Sequence, residues 1–328
     1  MDQKKLGRTG KTISGIGLGC VTFGREIDEE QSYKIMDYAV EKGITFFDTA
    51  EGYGGGQARE GRRSATGIDD VREATNEMSS SERIIGGWMR VNGTRDSITL
   101  CSKVGSGGSP ENIQRALTAS LERLGTDSVD VYKMHSPDTG VPIAETLGAL
   151  NEHVRAGRVG CIGGSNYDGA QMREALDASA ANGYARFEIT QPIYNLSVPD
   201  AQDDLFPICE AEEVAVTPYS PLGAGFLAGK YTRGDRSAIP KRTRFDTAPG
   251  HINIYFNDRS FNVVDALKAK SEEVGVPMVK LAMAWAMTHP AVTAALVGAR
   301  ETRHIDNAIE AYEMDLDPEL RAAMSAWE

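Results

Sequence analysis

Four side chains of this 328-residue chain have the right types to move a proton together: Asp48, Tyr53, Lys103 and His135. Each stands just past a short apolar run. Asp48 and Tyr53 follow ITFF at 44–47, Lys103 follows ITLCS at 98–102, and His135 follows VDVYKM at 129–134. A carbonyl under reduction needs both a hydride and a proton. A tyrosine at its usual pKa of about 10 gives up its proton reluctantly, and a neighbouring cation eases the loss by favouring the phenolate. Lys103 is the candidate cation, and Asp48 the acid that holds it and keeps it charged. His135 could hydrogen-bond the substrate oxygen and orient it. Tyr53 would then be the general acid. Taken singly, these residues have plainer readings: a rim aromatic, a solvated strand end, a capped turn residue.

What must position them is a set of eight such runs, the others being 15–19, 159–163, 187–190, 214–217 and 293–297. Each is too short for a helix and apolar enough to be buried on both faces, as parallel strands are. Amphipathic stretches lie between them, such as 30–42 with Ile35, Met36, Ala39 and Val40 on one face and Gly43 as a stop. Eight strands alternating with helices predict an α/β fold, a (β/α)8 TIM barrel forming one domain over 1–328, with a doubly wound open sheet as the runner-up. Gly7 and Gly10 in the stretch Met1–Leu18 mark turns of an N-terminal β-hairpin. In such a barrel the chemistry sits at the carboxyl ends of the strands. The remaining residues there are Thr22, Ser165 with Asn166, Gln191, Tyr219 with Ser220, and Gly298 with Arg300.

Two segments break the repeat and read as long loops at that end. One is 54–81, rich in Gly, Ser and charge, in which GIDDVREATNEM could form a short helix. The other is 230–262, with Lys230, Arg233, Arg236, Lys241, Arg242 and Arg244. The first begins immediately after Tyr53, and a mobile lid over the substrate is one reading of it; a solvated insertion is the other. The apolar stretch LAMAWAM at 281–287 reads as a packed barrel helix.

Composition narrows the function. Apolar residues make up 41% and charged residues 25%, the balance of a globular chain. A net charge of -12 opposes general nucleic-acid or anionic-membrane binding, so any phosphate must be held by a few local cations. Neither nucleic acid nor a membrane is an expected partner, and the lack of any long apolar segment points to a cytoplasmic protein. The four cysteines are dispersed with no CxxC pair, which fits buried free thiols, and the five histidines show no metal-ligand spacing, so no metal is expected. The glycine-rich stretches match neither GxGxxG nor a P-loop.

The segments GLGCVTFG, FFDTAEGYG, CSKVG, VDVYKMHSPD, GGSNY, TQPIYN, YSPLGAGFLAGKY and VGAR follow one another in an order that resembles the aldo-keto reductase family, over nearly the whole chain. The branch is the bacterial one that also resembles the potassium-channel beta subunits. The resemblance implies an NADP(H)-dependent oxidoreductase reversibly reducing a ketone or aldehyde, with the tetrad Asp48, Tyr53, Lys103 and His135. It implies a cofactor site in which Thr22 takes part, Ser165, Asn166 and Gln191 hold the carboxamide, and Tyr219 stacks on the nicotinamide ring. Ser220, Leu222, Gly225 and Lys230 would lie along the pyrophosphate, with Gly298, Arg300, His304 and Asn307 around the adenosine. Lys230, Arg244 and Arg300 would surround a 2′-phosphate. Two departures stand out: at the adenosine end His304 replaces the usual glutamine and Asn307 a common acid, and the 54–81 segment is longer than the usual link from the tyrosine to the following helix, which begins near Ser81 and Glu82. The expected partners are a small-molecule carbonyl, with a polar, hydroxylated ketone the leading class, and, as an open alternative, further copies of the chain. A cofactor-binding sensor or auxiliary subunit with little turnover is the second reading.

Overall fold

The computed structural model describes all of the chain except Ser237 and Arg242, so the expected loop cation Arg242 lies outside the described residues. Strands β1 (Gln3–Lys5) and β2 (Thr12–Ser14) pair antiparallel as the expected hairpin. Eight strands follow: β3 (Ile16–Gly19), β4 (Phe46–Asp48), β5 (Thr99–Val104), β6 (Val129–Met134), β7 (Val159–Ser165), β8 (Phe187–Gln191), β9 (Ala215–Val216) and β10 (Ala295–Gly298). All neighbours run parallel, and β10 pairs with β3 in register Ala295↔Ile16. Between the ends of β9 and β10 the circuit is completed by the parallel bridges Val216↔Val292 and Tyr219↔Leu296. The sheet is therefore closed into a (β/α)8 barrel rather than left open.

Helices α1 (Glu29–Glu41), α3 (Ser80–Asn92), α4 (Pro110–Leu124), α5 (Ile143–Arg155), α6 (Gly169–Asn182) and α7 (Ala201–Glu212) alternate with the strands. Later come α10 (Asp258–Val274), α11 (Met278–Met287), α12 (Thr302–Tyr312) and α13 (Pro318–Ser325). Their ends are written locally. Asp28 caps α1 by accepting from the Gln31 backbone N–H, and Ser109 with Pro110 opens α4, which Gly125 closes in the left-handed region. Of the expected strip Ile35, Met36, Ala39 and Val40, the first three are buried against the barrel and Val40 is half-buried, while Leu281–Met287 of α11 is buried throughout.

Side chains alternate along each strand, so every second residue faces the barrel interior. One inner layer is apolar: Phe46, Cys101, Val131, Cys161, Ile189, Ala215 and Leu296, closed from below by Leu6 and Ile13 at the hairpin. Gly17 on β3 leaves room for this layer, since a Cβ there would stand 2.6 Å from Leu296 and 2.7 Å from Phe46. Two residues further along β4, β5, β6 and β8 the same face carries Asp48, Lys103, Lys133 and Gln191.

The two segments expected as long loops are not loops throughout. Helix α2 (Gly55–Thr66) occupies the glycine-rich half of 54–81, while 67–78, where GIDDVREATNEM suggested a helix, is irregular. The reason is ionic. Arg62 of α2, its side chain 1% exposed, pairs with Glu73 and Asp70, and donates to the carbonyls of Asp70 and Thr247. Those acids are drawn back onto α2 instead of forming a helix of their own. In the second segment α8 (Arg244–Thr247), α9 (Ile252–Tyr255) and the start of α10 replace the expected loop. Arg72 joins the two segments through the Asp246 carboxylate at 2.7 Å. Among the described residues, no helix is long and apolar enough to cross a membrane.

Candidate functional site

At the carboxyl end of the strands a cleft of about 680 Å³ opens. It is lined by Thr22, Asp48, Tyr53, His135, Ser165, Asn166, Gln191, Tyr219, Ser220, Leu222 and Gly225. Lys230, Arg244, Gly298, Arg300, His304 and Asn307 continue the lining. Of the catalytic and cofactor-site candidates taken from the sequence, Lys103 is the one absent from the wall, because it is fully buried behind Tyr53, and the loop cations Arg233, Arg236 and Lys241 lie off it too. Residues drawn from the ends of seven of the eight strands, all but β5, and from the 220–244 segment thus share one opening.

At its floor, Lys103 Nζ lies 2.6 Å from Asp48 Oδ2 and 2.7 Å from the Thr49 carbonyl, which it donates to. Its third direction is Tyr53 Oη, at 3.4 Å. Burial pushes the Asp48 carboxyl up, but Lys103 and Lys133 outweigh it and hold it well below the usual range. Burial disfavours the Lys103 charge, and Asp48 and Tyr53 reverse this, raising its pKa. The expectation that Lys103 leaves Tyr53 with a lowered pKa is corrected. Burial outweighs the pull of Lys103, so the phenol stands above its ordinary value. Tyr53 is therefore a protonated donor at neutral pH, with an ammonium beside it to receive the phenolate. The His135 ring meets Tyr53 edge-on at 5.4 Å between centroids. Burial and then Lys103 press its pKa down to about 3, so the imidazole is neutral and can offer a hydrogen bond without charge.

The side walls are pre-set. Asn166, at φ 61° in the left-handed region, donates from Nδ2 to the His135 carbonyl at 2.8 Å and accepts from the Tyr219 hydroxyl at 2.9 Å. Ser165 Oγ donates to the Gln191 carbonyl at 2.9 Å, and Thr22 Oγ1 to the Ala299 carbonyl at 3.0 Å. His304 Nδ1 accepts from the Arg300 backbone N–H at 3.2 Å. Gly225 holds φ 87°, which an L side chain rarely adopts, and a Cβ there would approach Lys230 Nζ to 3.2 Å. The far end of the cleft is cationic, with Lys230, Arg244 and Arg300 on its wall.

Lys133, Arg25 and Glu26 are among the wall and floor residues that escaped the sequence reading. Lys133, fully buried, donates to Asp48 Oδ1 at 2.8 Å and to Gln191 Oε1. The signal was present in VDVYKM, where the period of two puts Lys133 on the inward face with Val131. Arg25 and Glu26, just past β3, line the cationic end, with Arg25 Nε 2.7 Å from Glu26 and Arg244 Nη1 3.5 Å from it. Burial raises the Glu26 pKa in spite of the Arg25 and Arg300 guanidiniums. All four cysteines are free and buried, and burial raises each thiol, so none is poised as a nucleophile.

A family model described as the Aldo/keto reductase family matches residues 15–327. Among similar proteins, "Uncharacterized oxidoreductase YrpG" of Bacillus subtilis is 29% identical over 98% of this chain and 94% of its own length. A protein of Arabidopsis thaliana named "Probable voltage-gated potassium channel subunit beta" is 30% identical over 96% of this chain and 92% of its own. "Versiconal hemiacetal acetate reductase" of Aspergillus parasiticus is 27% identical over 97% and 94%.

Proposed function

The chain belongs to the aldo/keto reductase family and is an oxidoreductase at that level, and from that premise we propose that it reversibly reduces a ketone or aldehyde to an alcohol with NADP(H), Tyr53 acting as general acid. The observation that carries this reading is the buried chain of contacts from Asp48 through Lys103 to Tyr53, ending at the cleft beside a neutral His135. A bound nicotinamide dinucleotide would supply the hydride, or take it in the reverse direction. The residues present fit such a group. Gly225 keeps the wall open where a side chain would intrude, and among the described residues the buried Arg244 Nε lacks a hydrogen-bond partner on a side chain lining the cationic end.

Ser165, Asn166 and Gln191 would hold the carboxamide, and Tyr219 would stack on the ring. Ser220, Leu222, Gly225 and Lys230 would follow the pyrophosphate, and Thr22, Gly298, His304 and Asn307 the remainder. Lys230, Arg244 and Arg300 would meet a 2′-phosphate, which a guanidinium can grip with two parallel donors. In reduction, Tyr53 releases its proton to the substrate oxygen while His135 hydrogen-bonds that oxygen, and Lys103 stabilises the phenolate left behind. The substrate class we favour is a polar, hydroxylated ketone. Two measurements test the reading. Tyr53→Phe should leave dinucleotide binding nearly unchanged and lower turnover by about 100-fold or more. NADPH should bind more tightly than NADH, with Arg300→Ala removing the difference. Retained activity in the first, or equal affinities in the second, overturns the corresponding assignment. The similarity to a channel beta subunit favours one second reading, a cofactor-bound auxiliary subunit; tight dinucleotide binding with no turnover of activated aldehydes would select it.

A further inference from the structure

The barrel interior holds one more charge than proton transfer requires. Asp48, Lys103, Lys133 and Gln191 project inward from four different strands at one level, all buried. Asp48 gives one oxygen to each ammonium, at 2.6 Å to Lys103 and 2.8 Å to Lys133. Two cations thus share one carboxylate, and the layer beneath them is apolar. Burial keeps Cys20 and Cys101, the thiols nearest this group, neutral. Such a surplus is costly in a dry interior unless a nearby group can take up negative charge. Tyr53, against Lys103, is that group. The charged and titratable groups facing its phenol are Lys103 and Asp48 below, His135 beside it, and Arg25 and Tyr219 from the loops after β3 and β9.

Lys133 also fixes Gln191. An ammonium can only donate and a carboxylate only accept, so Oε1 of Gln191 must face Lys133 and Nε2 must face Asp48, at 3.3 Å. One amide hydrogen and one lone pair of Gln191 are left for the cleft.

We propose that Lys133 is a positioning residue that takes half of the Asp48 carboxylate, leaves the buried layer one positive charge over, and so biases Tyr53 toward the phenolate, the base that an alcohol substrate needs. The chain is thereby set for alcohol oxidation nearer neutral pH than a one-lysine version of the same site. This rests on the reading of Tyr53 as the proton-transfer group. In the oxidative direction the substrate O–H bond breaks and its proton passes to the phenolate oxygen, with Lys103 keeping its own proton throughout.

The test compares Lys133→Met, which removes the charge, with Lys133→Arg, which keeps it. The first readout is the dinucleotide-free protein labelled with ¹³C-tyrosine, in which Tyr53 is assigned by its loss in Tyr53→Phe and titrated by NMR. Lys133→Met should raise the Tyr53 midpoint by about one pH unit or more, and Lys133→Arg should leave it near the parent. His135, on which Lys133 also acts, should titrate higher in Lys133→Met than its parental value of about 3. The pH profile of kcat/KM for alcohol oxidation should move with Tyr53. A folded Lys133→Met protein whose Tyr53 titrates as in the parent overturns the proposal, and Lys133→Gln serves if Lys133→Met does not fold. Full activity of Tyr53→Phe would instead strike down the general-acid reading, which the titration of the free protein does not depend on.

Discussion

Asp48→Asn is the most revealing single change in this barrel. It keeps the size of the side chain and removes the charge that two fully buried ammoniums share. Removing one partner of a buried pair costs about 3–5 kcal/mol, because the other charge is left without compensation. Here two charges are left, and they repel. The loss is bounded by an escape: one lysine can fold without its proton. Depressing a lysine from its usual pKa of about 10.4 to about 7 costs roughly 4–5 kcal/mol at about 1.4 kcal/mol per unit. Both routes predict a loss of about 4–5 kcal/mol at pH 7, a large share of the 5–15 kcal/mol typical of a folded domain. The pH dependence has a definite sign. In the variant a buried lysine titrates below its unfolded value, so the unfolded chain binds more protons and stability rises with pH up to the unfolded pKa. In the parent, Lys103 is raised above its ordinary value, and its contribution is lost only as pH climbs beyond the unfolded pKa. The gap between parent and variant should therefore shrink between pH 7 and pH 9.5. Urea unfolding of the dinucleotide-free proteins, followed by circular dichroism at both pH values, measures it. Adding Lys133→Met to Asp48→Asn should recover part of the loss. A variant within about 1 kcal/mol of the parent at pH 7, or a gap that does not change with pH, would refute the shared-carboxylate account.

Two further perturbations address other parts of the molecule. Arg62→Met should leave the Glu73 carboxylate without its guanidinium and loosen 67–79 by about 3–5 kcal/mol, seen as faster amide exchange there; unchanged protection would mean that other contacts hold the segment. His135 is held down to about 3 from an ordinary 6.5, so between those values the unfolded chain takes up its proton first and stability falls as pH falls. His135→Asn should flatten that acid limb by up to about 1.4 kcal/mol per pH unit, and parallel curves for parent and variant would contradict the neutral-imidazole assignment.

Sequence and structure agree wherever periodicity speaks. The eight apolar runs became eight strands because buried parallel strands announce themselves as unbroken apolar segments, and positions past their ends share a mouth by geometry alone. Helix α2 was not legible for the converse reason. Its buried positions are Gly55 and Arg62, so it carries no apolar stripe, and an arginine docks it in place of a leucine. Glu73 looked like a helix former and instead closes a buried ion pair with a residue eleven positions away. Tyr53 was legible in place and not in electrostatics, since the type of its neighbour reveals attraction while the depth of burial, which dominates here, belongs to the folded shape.

The last strand of the barrel, β10, lies against the first, β3, and the cleft takes Thr22 from one side of that seam and Gly298 and Arg300 from the other. The two sides of this seam are thus far apart along the chain. A nascent chain can assemble helices and several strand pairs as it leaves the ribosome, yet it cannot complete the cleft until β10 is free. Ligand capture is in this way deferred until β10 has been made. A chain cut short before β10 would expose the unpaired edge of β3, with its open N–H and C=O groups, and so carry the mark by which quality control recognises an unfinished product.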